Sequence, residues 1–467
     1  MSEGGPADLI PGASRDLAAF AAALAFDDLP THVAAHLKLA VLDGIGCIVH
    51  GTAMPWTGHI AAMVAADAGR AEATALGLVD KVPAAGAALV NGTAGHAFEL
   101  DDIHRDSIIH PNSLTLSVAF ALAERAGGCH GKVFLAAVAA GYEVGARIGA
   151  AAGPGLLTGG FHPQGTTGAF AAAATAARML GLDGDKTLHA LGIAGSLGAG
   201  LMAAQEGAMV KRLHSGHAAE AGLRAALLAE RGFTGIENVV EAGYGGFIAA
   251  HSTTPLPDRL LAGLGRDWEI PKTGFKPHAT VTSIHSCLDA LAQIRVEHGL
   301  AADDMARIEA FVSTPTHVHC AWPYTAQSVT AAQMNIYYGL AVMALDGEAF
   351  VRQFVPERIA DPAIMDLIDR IEAHVDPEID ALGPAHRHVA RVCVTTRDGA
   401  RIEKRVEFRK GSAENPLDAA DVETKFRALT QDMLGAETVQ RLVDGVAGLE
   451  TLADVRALVD LMAGRAA

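Results

Sequence analysis

Titratable side chains are concentrated in one segment, residues 99–113, whose sequence is ELDDIHRDSIIHPNS. Asp101, Asp102 and Asp106 could orient the imidazoles of His104 and His110 or shift their pKa values, which suits acid-base chemistry near neutral pH. A helical pattern resumes at residues 114–124, so we predict that this segment is a helix-to-helix loop outside the core.

Two other interpretations of this segment remain open. It could be a solvated acidic loop in which Asn112 or Ser113 caps the following helix, although a histidine before proline is held out of the helical conformation and is therefore presented. The second interpretation is a metal site with the candidate ligands Asp101, Asp102, His104 and His110. Their spacing matches no ligand rule, and we predict that no metal is bound.

Two further polar segments precede helical patterns, at residues 159–168 (GGFHPQGTTG) and 206–217 (EGAMVKRLHSGH). In the first, Thr166 either caps a helix or lies where backbone N–H groups suit a carboxylate, beside His162. In the second, Lys211 is either a surface cation or a desolvated lysine with a lowered pKa, next to Arg212.

The fourth polar segment, residues 274–285 (GFKPHATVTSIH), contains Lys276, His278 and His285. The two histidines are seven residues apart, so a helix over 278–294 would place them on one face. No P-loop, Gly-x-Ser-x-Gly or His-Glu-x-x-His motif occurs.

The formal net charge of −17 argues against nucleic acid and anionic membrane as partners. A small anionic substrate stays possible, because distant charges are screened and the charges within the pocket determine what binds there. The five cysteines form no Cys-x-x-Cys pair, and the first six residues do not resemble a signal peptide. A reducing, cytoplasmic location is the expectation.

Apolar periodicity predicts a mainly α protein with a large all-helical domain and a smaller α+β domain that contains an antiparallel sheet. Helices are predicted over 33–48, 59–68, 84–98, 114–126, 133–149, 167–180, 186–203, 218–231, 278–294 and 331–345. A strand is predicted over 307–314, a hairpin over 388–408 around Asp398-Gly399, and helix again over 419–466.

We therefore divide the chain into an all-α domain, residues 1–267, completed by 411–467, and an α+β domain over 268–410. An inserted domain of this kind can act as a lid over a site between the two.

The four polar segments, taken in order, resemble those of the MmgE/PrpD family, which includes 2-methylcitrate dehydratase, cis-aconitate decarboxylase and iminodisuccinate epimerase. The resemblance covers almost the whole chain. It implies a helical domain with an α+β lid, a homodimer, no metal and no organic cofactor.

The resemblance also implies roles for individual residues. His110, Lys211 and His285 match catalytic positions, His162 matches a pocket histidine, and Asp101 and Asp102 match the paired acids of the loop. Glu99 stands where the family has aspartate.

Together, residue chemistry and resemblance favour a cofactor-free lyase that abstracts a proton α to a carboxylate of a small di- or tricarboxylate, as a dehydratase or decarboxylase does. His110 or Lys211 would act as base or acid and His285 would perform the opposite transfer, while Thr166, Arg212 and Lys276 bind carboxylates. The other candidates for substrate binding are His104, His162 and His278. The alternatives are an epimerase acting on a substrate such as iminodisuccinate, a non-catalytic carboxylate-binding protein and a metal-dependent hydrolase.

Overall fold

The structure is a computed structural model that describes residues 9–67 and 69–465. The signal-peptide argument concerns residues outside this range, as does the last residue of the helix predicted over 59–68. Two predicted parts are present, an N-terminal helical domain and a smaller C-terminal α+β domain, which confirms the fold class. The boundaries at 267/268 and 410/411 stay predictions.

The N-terminal helical domain is built from helices that surround an alanine-rich core. They are α1 (Ala13–Ala23), α2 (Thr31–Gly51), α3 (Pro55–Ala66), α4 (Ala84–Gly95), α5 (Pro111–Arg125), α6 (Gly131–Ala152), α7 (Pro154–Thr158), α8 (Pro163–Thr166), α9 (Gly168–Met179), α10 (Gly184–Ala194), α11 (Val210–Glu230) and α12 (Phe247–His251), with strand β1 (Ile103–His104) between α4 and α5.

The C-terminal α+β domain has its own apolar core. After the short strand β2 (Thr273–Gly274), its elements are α13 (His285–His298), β3 (Met305–Val312), α14 (Thr314–Cys320), α15 (Val329–Met334), α16 (Ile336–Asp346), α17 (Pro362–Ile368), β4 (Ile371–Val375), α18 (Pro377–Ala381), β5 (Ala390–Thr396) and β6 (Arg401–Val406).

Four of the strands form one sheet in the order β4-β3-β5-β6. The predicted antiparallel pairing of β3, β5 and β6 is present, but β4 adds a parallel pair with β3 and makes the sheet mixed. Strand β4, at the edge of the sheet, was missed by the sequence analysis although its five residues, IEAHV, alternate between apolar and polar. A second, two-stranded sheet joins β1 to β2 and so ties the loop before α5 to the segment that carries Lys276.

Several predicted helices have different bounds in the structure. The one predicted over 218–231 begins at Val210, so Lys211 lies in its first turn, and the one predicted over 419–466 is divided into three helices. The helix predicted over 186–203 ends at Ala194, ahead of three glycines in residues 195–200. The one predicted over 331–345 is broken by Asn335, whose side chain caps α16 by accepting from two backbone N–H groups. The one predicted over 278–294 begins only at His285, because Ala279 and Val281 donate their N–H groups to Ala349 and Gln333.

Close packing of α4 against α11 brings together two of the polar segments, residues 99–113 and 206–217. A Cβ atom on Gly216 would lie 2.2 Å from the carbonyl oxygen of Leu89, and one on Gly92 would lie 2.9 Å from the Cα of Gly216. Because neither position accepts a side chain, the start of α11, with Lys211, lies against the loop that follows α4.

Helices α2 and α6 are long and apolar enough to cross a membrane by composition alone. Their most apolar windows are 67% and 94% buried inside the protein, as expected of core helices. Helix α9, which was predicted over residues 167–180, is also almost entirely buried.

The chain ends in helices α19 (Ala419–Leu434), α20 (Ala436–Ala447) and α21 (Arg456–Met462), of which α19 packs on α2. On α19, the buried Lys425 ammonium lies 2.6 Å from an oxygen of Asp43 and donates to the carbonyl of Leu100 at 2.5 Å. The other Asp43 oxygen accepts from the side chain of Asn112 at 3.0 Å. Helix α19 therefore holds both the loop of residues 99–110, here called the polar loop, and the start of α5.

Replacing Lys425 by Met should lower the free energy of unfolding by about 3–5 kcal/mol, because Asp43 is left as a buried carboxylate without its ion-pair partner. Urea denaturation followed by circular dichroism measures the change. The exposed Arg224→Gln on α11 should change it by less than about 0.5 kcal/mol. The double variant Asp43→Asn/Lys425→Met should be more stable than the single one, and a single variant as stable as the wild type would contradict this account of α19.

Candidate active site

A cavity of about 620 Å³, open to solvent on one side and here called the inner cavity, lies between the polar loop before α5, the start of α11 and the C-terminal α+β domain. Seven of its polar lining residues come from the helical domain and the β2–α13 segment: Glu99, His110, His162, Lys211, Lys276, Thr282 and Ser283. His319, Arg387 and His388 close it from the α+β domain. The structure thus brings four predicted residues, His110, His162, Lys211 and Lys276, to one cavity.

The carboxylate of Glu99 is buried among three cations. It accepts hydrogen bonds from Lys211, from Arg212 at 2.6 Å and from Lys276 at 3.2 Å. Arg212 lies behind Glu99 and is held on its other side by Gln333 of α15 at 2.9 Å. The cluster therefore carries more positive than negative charge, which favours an anionic ligand.

These contacts decide the protonation states of the cluster. Burial on its own would raise the pKa of Glu99, but Lys211, Lys276 and Arg212 hold it well below its usual value. Burial, opposed by Glu99 and reinforced by Arg212 and Lys276, lowers the pKa of Lys211 to about 8. The predicted desolvated lysine is present, and its ammonium form predominates at pH 7.

His110 is held by Asp101 and Gln164. Its Nδ1 lies 3.3 Å from one oxygen of Asp101, and the other oxygen lies 2.8 Å from Nδ1 of His96. Gln164 accepts from the His110 N–H at 2.7 Å and donates to its carbonyl at 3.2 Å. Burial, opposed by Asp101, lowers the pKa of His110 to about 3, so its imidazole is neutral at pH 7.

The second cavity histidine, His162, shares a hydrogen bond with His214. The Nδ1 atoms of the two rings are 2.9 Å apart. Burial lowers the pKa of both, to about 4 for His214. Two neutral rings of opposite tautomer satisfy this contact, with one nitrogen donating and the other accepting. Thr166 does not line the cavity, because its hydroxyl donates to the carbonyl of His162 at 3.1 Å.

The polar loop is buried, so the prediction of a segment outside the core is wrong. Asp102 is fully buried and accepts from the hydroxyl of Tyr142 at 2.6 Å and from the N–H of Asn112 at 3.1 Å. His104 is 3.0 Å from Glu269 and 2.8 Å from the hydroxyl of Ser107. Each charge has an internal partner, which is why the loop tolerates burial, and both residues lie behind the cavity wall.

His278 and His285 also lie outside the inner cavity wall. Their rings are 5.1 Å apart, edge to face, but the backbone between them is not the predicted helix. His278 is bonded to Asp289 at 2.9 Å, and His285 is bonded to the carbonyl of Thr280 at 3.2 Å. Their predicted roles in binding and catalysis stay predictions.

Several residues that contact or line the cavity were missed by the sequence analysis: His96, Glu99, Gln164, His319, Arg387 and His388. A usable signal existed for Glu99, which belongs to the densest polar segment. The residues from the α+β domain gave none, since they lie outside all four polar segments.

Two groups of side chains in the described part of the chain are close enough to hold a metal ion: Glu309, Glu372 and His374 on the large sheet, and one group at the site. Ligand atoms of His96, Asp101 and His110 lie within 4.8 Å of one another, although His96 and Asp101 already share a hydrogen bond that a metal would displace. Asp102 and His104, the other candidates from the sequence, are engaged elsewhere.

The fold and this cation-rich cavity between two domains define a two-domain protein whose site suits an anionic ligand. Residues 15–259 match the MmgE/PrpD N-terminal domain, and residues 278–451 match the MmgE/PrpD C-terminal domain. The chain belongs to the MmgE/PrpD family, as its polar segments predict.

Similar proteins include enzymes of known name. The cis-aconitate decarboxylase-like protein oryM of Aspergillus oryzae is 34% identical over 457 residues, 94% of either chain. Cis-aconitate decarboxylase of Aspergillus terreus is 30% identical over 471 residues, covering 97% of this chain and 96% of the relative. The human cis-aconitate decarboxylase is 32% identical over 395 residues, covering 82% and 80%.

Replacing Glu99 by Gln should lower the pKa of Lys211 further below about 8, because the carboxylate that stabilises its charged form is removed. The Cε signal of ¹³C-labelled lysine, assigned by its loss in Lys211→Arg, reports this titration. Glu414→Gln, which removes the exposed partner of Arg105, should leave the titration unchanged. The same pKa in Glu99→Gln and wild type would contradict the assigned charge cluster.

Proposed function

We propose that this protein is a cofactor-free lyase that removes carbon dioxide from a small tricarboxylate, with cis-aconitate as the first candidate substrate. The observation that carries the proposal is the inner cavity, where Lys211 and Lys276, backed by Arg212, outnumber the single carboxylate of Glu99. Three relatives named as cis-aconitate decarboxylases or a similar protein support the choice of substrate.

Decarboxylation of cis-aconitate needs two things from the site. When the bond to the departing carboxylate breaks, its electron pair forms a new double bond, and the pair of the old double bond moves to the carbon next to another carboxylate. That carbon takes a proton, giving carbon dioxide and methylenesuccinate. The site must therefore hold a carboxylate on which negative charge develops and must supply one proton.

Lys211 and Lys276 meet these needs, and His110 is the proton acceptor that the two alternative reactions would use. At pH 7 Lys211 is mostly protonated and can donate, whereas His110 is neutral and can accept. Lys276 is the cation that holds a carboxylate beside them. In a dehydratase or an epimerase, His110 would instead remove the proton α to a carboxylate. Because Lys211 and His110 could also catalyse these two reactions, the experiment below includes their substrates.

Proton NMR in D2O with chelator present, using cis-aconitate, citrate, 2-methylcitrate and iminodisuccinate, tests the proposal. A new vinylidene signal with one deuterium at the adjacent methylene of the product indicates decarboxylation. Loss of water from citrate or 2-methylcitrate indicates a dehydratase, and deuterium exchange with inversion indicates an epimerase. Exchange and turnover absent with all four substrates would refute the proposed function.

Lys211→Ala should reduce kcat by about two to four decades, because it removes the group assigned to donate the proton. A loss of that size in His110→Ala would favour a dehydratase or an epimerase, in which His110 removes a proton from the substrate. The matched control is Lys404→Ala on strand β6, whose side chain pairs with Glu297 outside the cavity and whose loss should leave kcat unchanged. Turnover like that of the wild type in Lys211→Ala would remove this assignment.

The pH profile of kcat/KM should fall above about pH 8, since Lys211 must be protonated to donate and loses its proton there. The profile of kcat should bend at higher pH, because bound anionic substrate raises the pKa of Lys211. In Lys211→Arg the alkaline decrease should disappear from a low residual activity. A wild-type profile that stays flat to pH 9.5 would contradict Lys211 as the proton donor.

A further inference from the structure

Arg387 lies where the inner cavity meets a second, outer cavity of about 800 Å³. Only three residues line both spaces: Ile108, Leu157 and Arg387. The rest of the outer cavity wall is mainly apolar, with two acidic residues, Asp106 and Asp380, and the Glu99 cluster does not reach it. Arg387 therefore supplies a positive charge to the inner cavity at the end that adjoins the outer cavity.

The backbone of Arg387 is fixed in this position by two hydroxyl groups. Its carbonyl oxygen accepts from Ser313 at 2.7 Å and from Thr316 at 3.0 Å, both at the start of α14. Its guanidinium donates through Nη2 to the carbonyl of Arg105 at 2.9 Å. The contact spans both domains and leaves the other guanidinium N–H groups available to a ligand.

Within residues 9–67 and 69–465, no carboxylate lies within ion-pair distance of Arg387. Asp106 is the acid that acts on it electrostatically, but the Asp106 oxygens are engaged by Arg105 at 3.3 Å and by Arg259 at 3.1 Å. Burial accordingly lowers the pKa of Arg387 to about 10. A partly buried guanidinium without an anion is costly, and a bound carboxylate would offset that cost.

We propose that Arg387 binds one carboxylate of the substrate and thereby makes the site selective for tricarboxylates over dicarboxylates. The inference rests on the proposed function, because it assigns the third anionic group of that substrate. Three cations, Lys211, Lys276 and Arg387, line the inner cavity beside the single carboxylate of Glu99. At the inner end Lys276 holds another carboxylate, next to Lys211 as the proposed proton donor.

Calorimetric binding of three unreactive acids tests this assignment without requiring turnover. Tricarballylate has three carboxylates, glutarate lacks the central one and methylsuccinate lacks a terminal one. The variant Arg387→Gln should weaken tricarballylate binding by about 10- to 100-fold, the range of a hydrogen bond to a charged group. At least one dicarboxylate should bind wild type and variant equally, and it identifies the carboxylate that Arg387 holds.

The matched control is Arg405→Gln on β6, where the arginine is exposed and pairs with Glu407. It should bind all three acids like the wild type, and Arg387→Lys should recover part of the tricarballylate affinity. Unchanged tricarballylate binding in Arg387→Gln, or equal weakening of all three acids, would overturn the proposal, as would a wild type that binds no tricarballylate. Selective weakening with no turnover of cis-aconitate would refute the proposed reaction while leaving the role of Arg387 intact.

Discussion

The buried Glu99 carboxylate holds together three cations that would otherwise repel one another. Lys211 and Arg212 come from α11 and Lys276 from the segment after β2, while Glu99 itself, with a φ angle of +56°, belongs to the loop after α4. Buried charges of one sign can stay this close only if an opposite charge offsets their desolvation. The shape of the inner cavity thus depends on one side chain that is bonded to groups from two other segments.

The sequence predicted which segments build the cavity better than it predicted how they are built. Polar residues between apolar helices marked His110, His162, Lys211 and Lys276, and all four line one cavity. The exposure of the loop was wrongly predicted, because the partners that neutralise Glu99 lie 112 and 177 residues away along the chain. Periodicity and local composition carry no information on such distant pairs.

Other differences have local physical causes. A helical spacing of seven placed His278 and His285 on one face, but the backbone after Pro277 bonds to Ala349 and Gln333 instead of forming a helix. Arg387 and His388 escaped notice because nothing in their neighbourhood distinguishes them from surface charges. Their position becomes meaningful only when the α+β domain closes on the polar loop.

The link from Lys425 to the Leu100 carbonyl spans 325 positions of the chain. During synthesis the helices up to α12 can begin to pack as they emerge, yet Asp43 and the loop around Leu100 lack this partner until α19 has been made. The inner cavity therefore cannot take its final form until α19 has been made, and nascent chains that stop short of α19 carry every cavity residue named above without the contact that holds their loop.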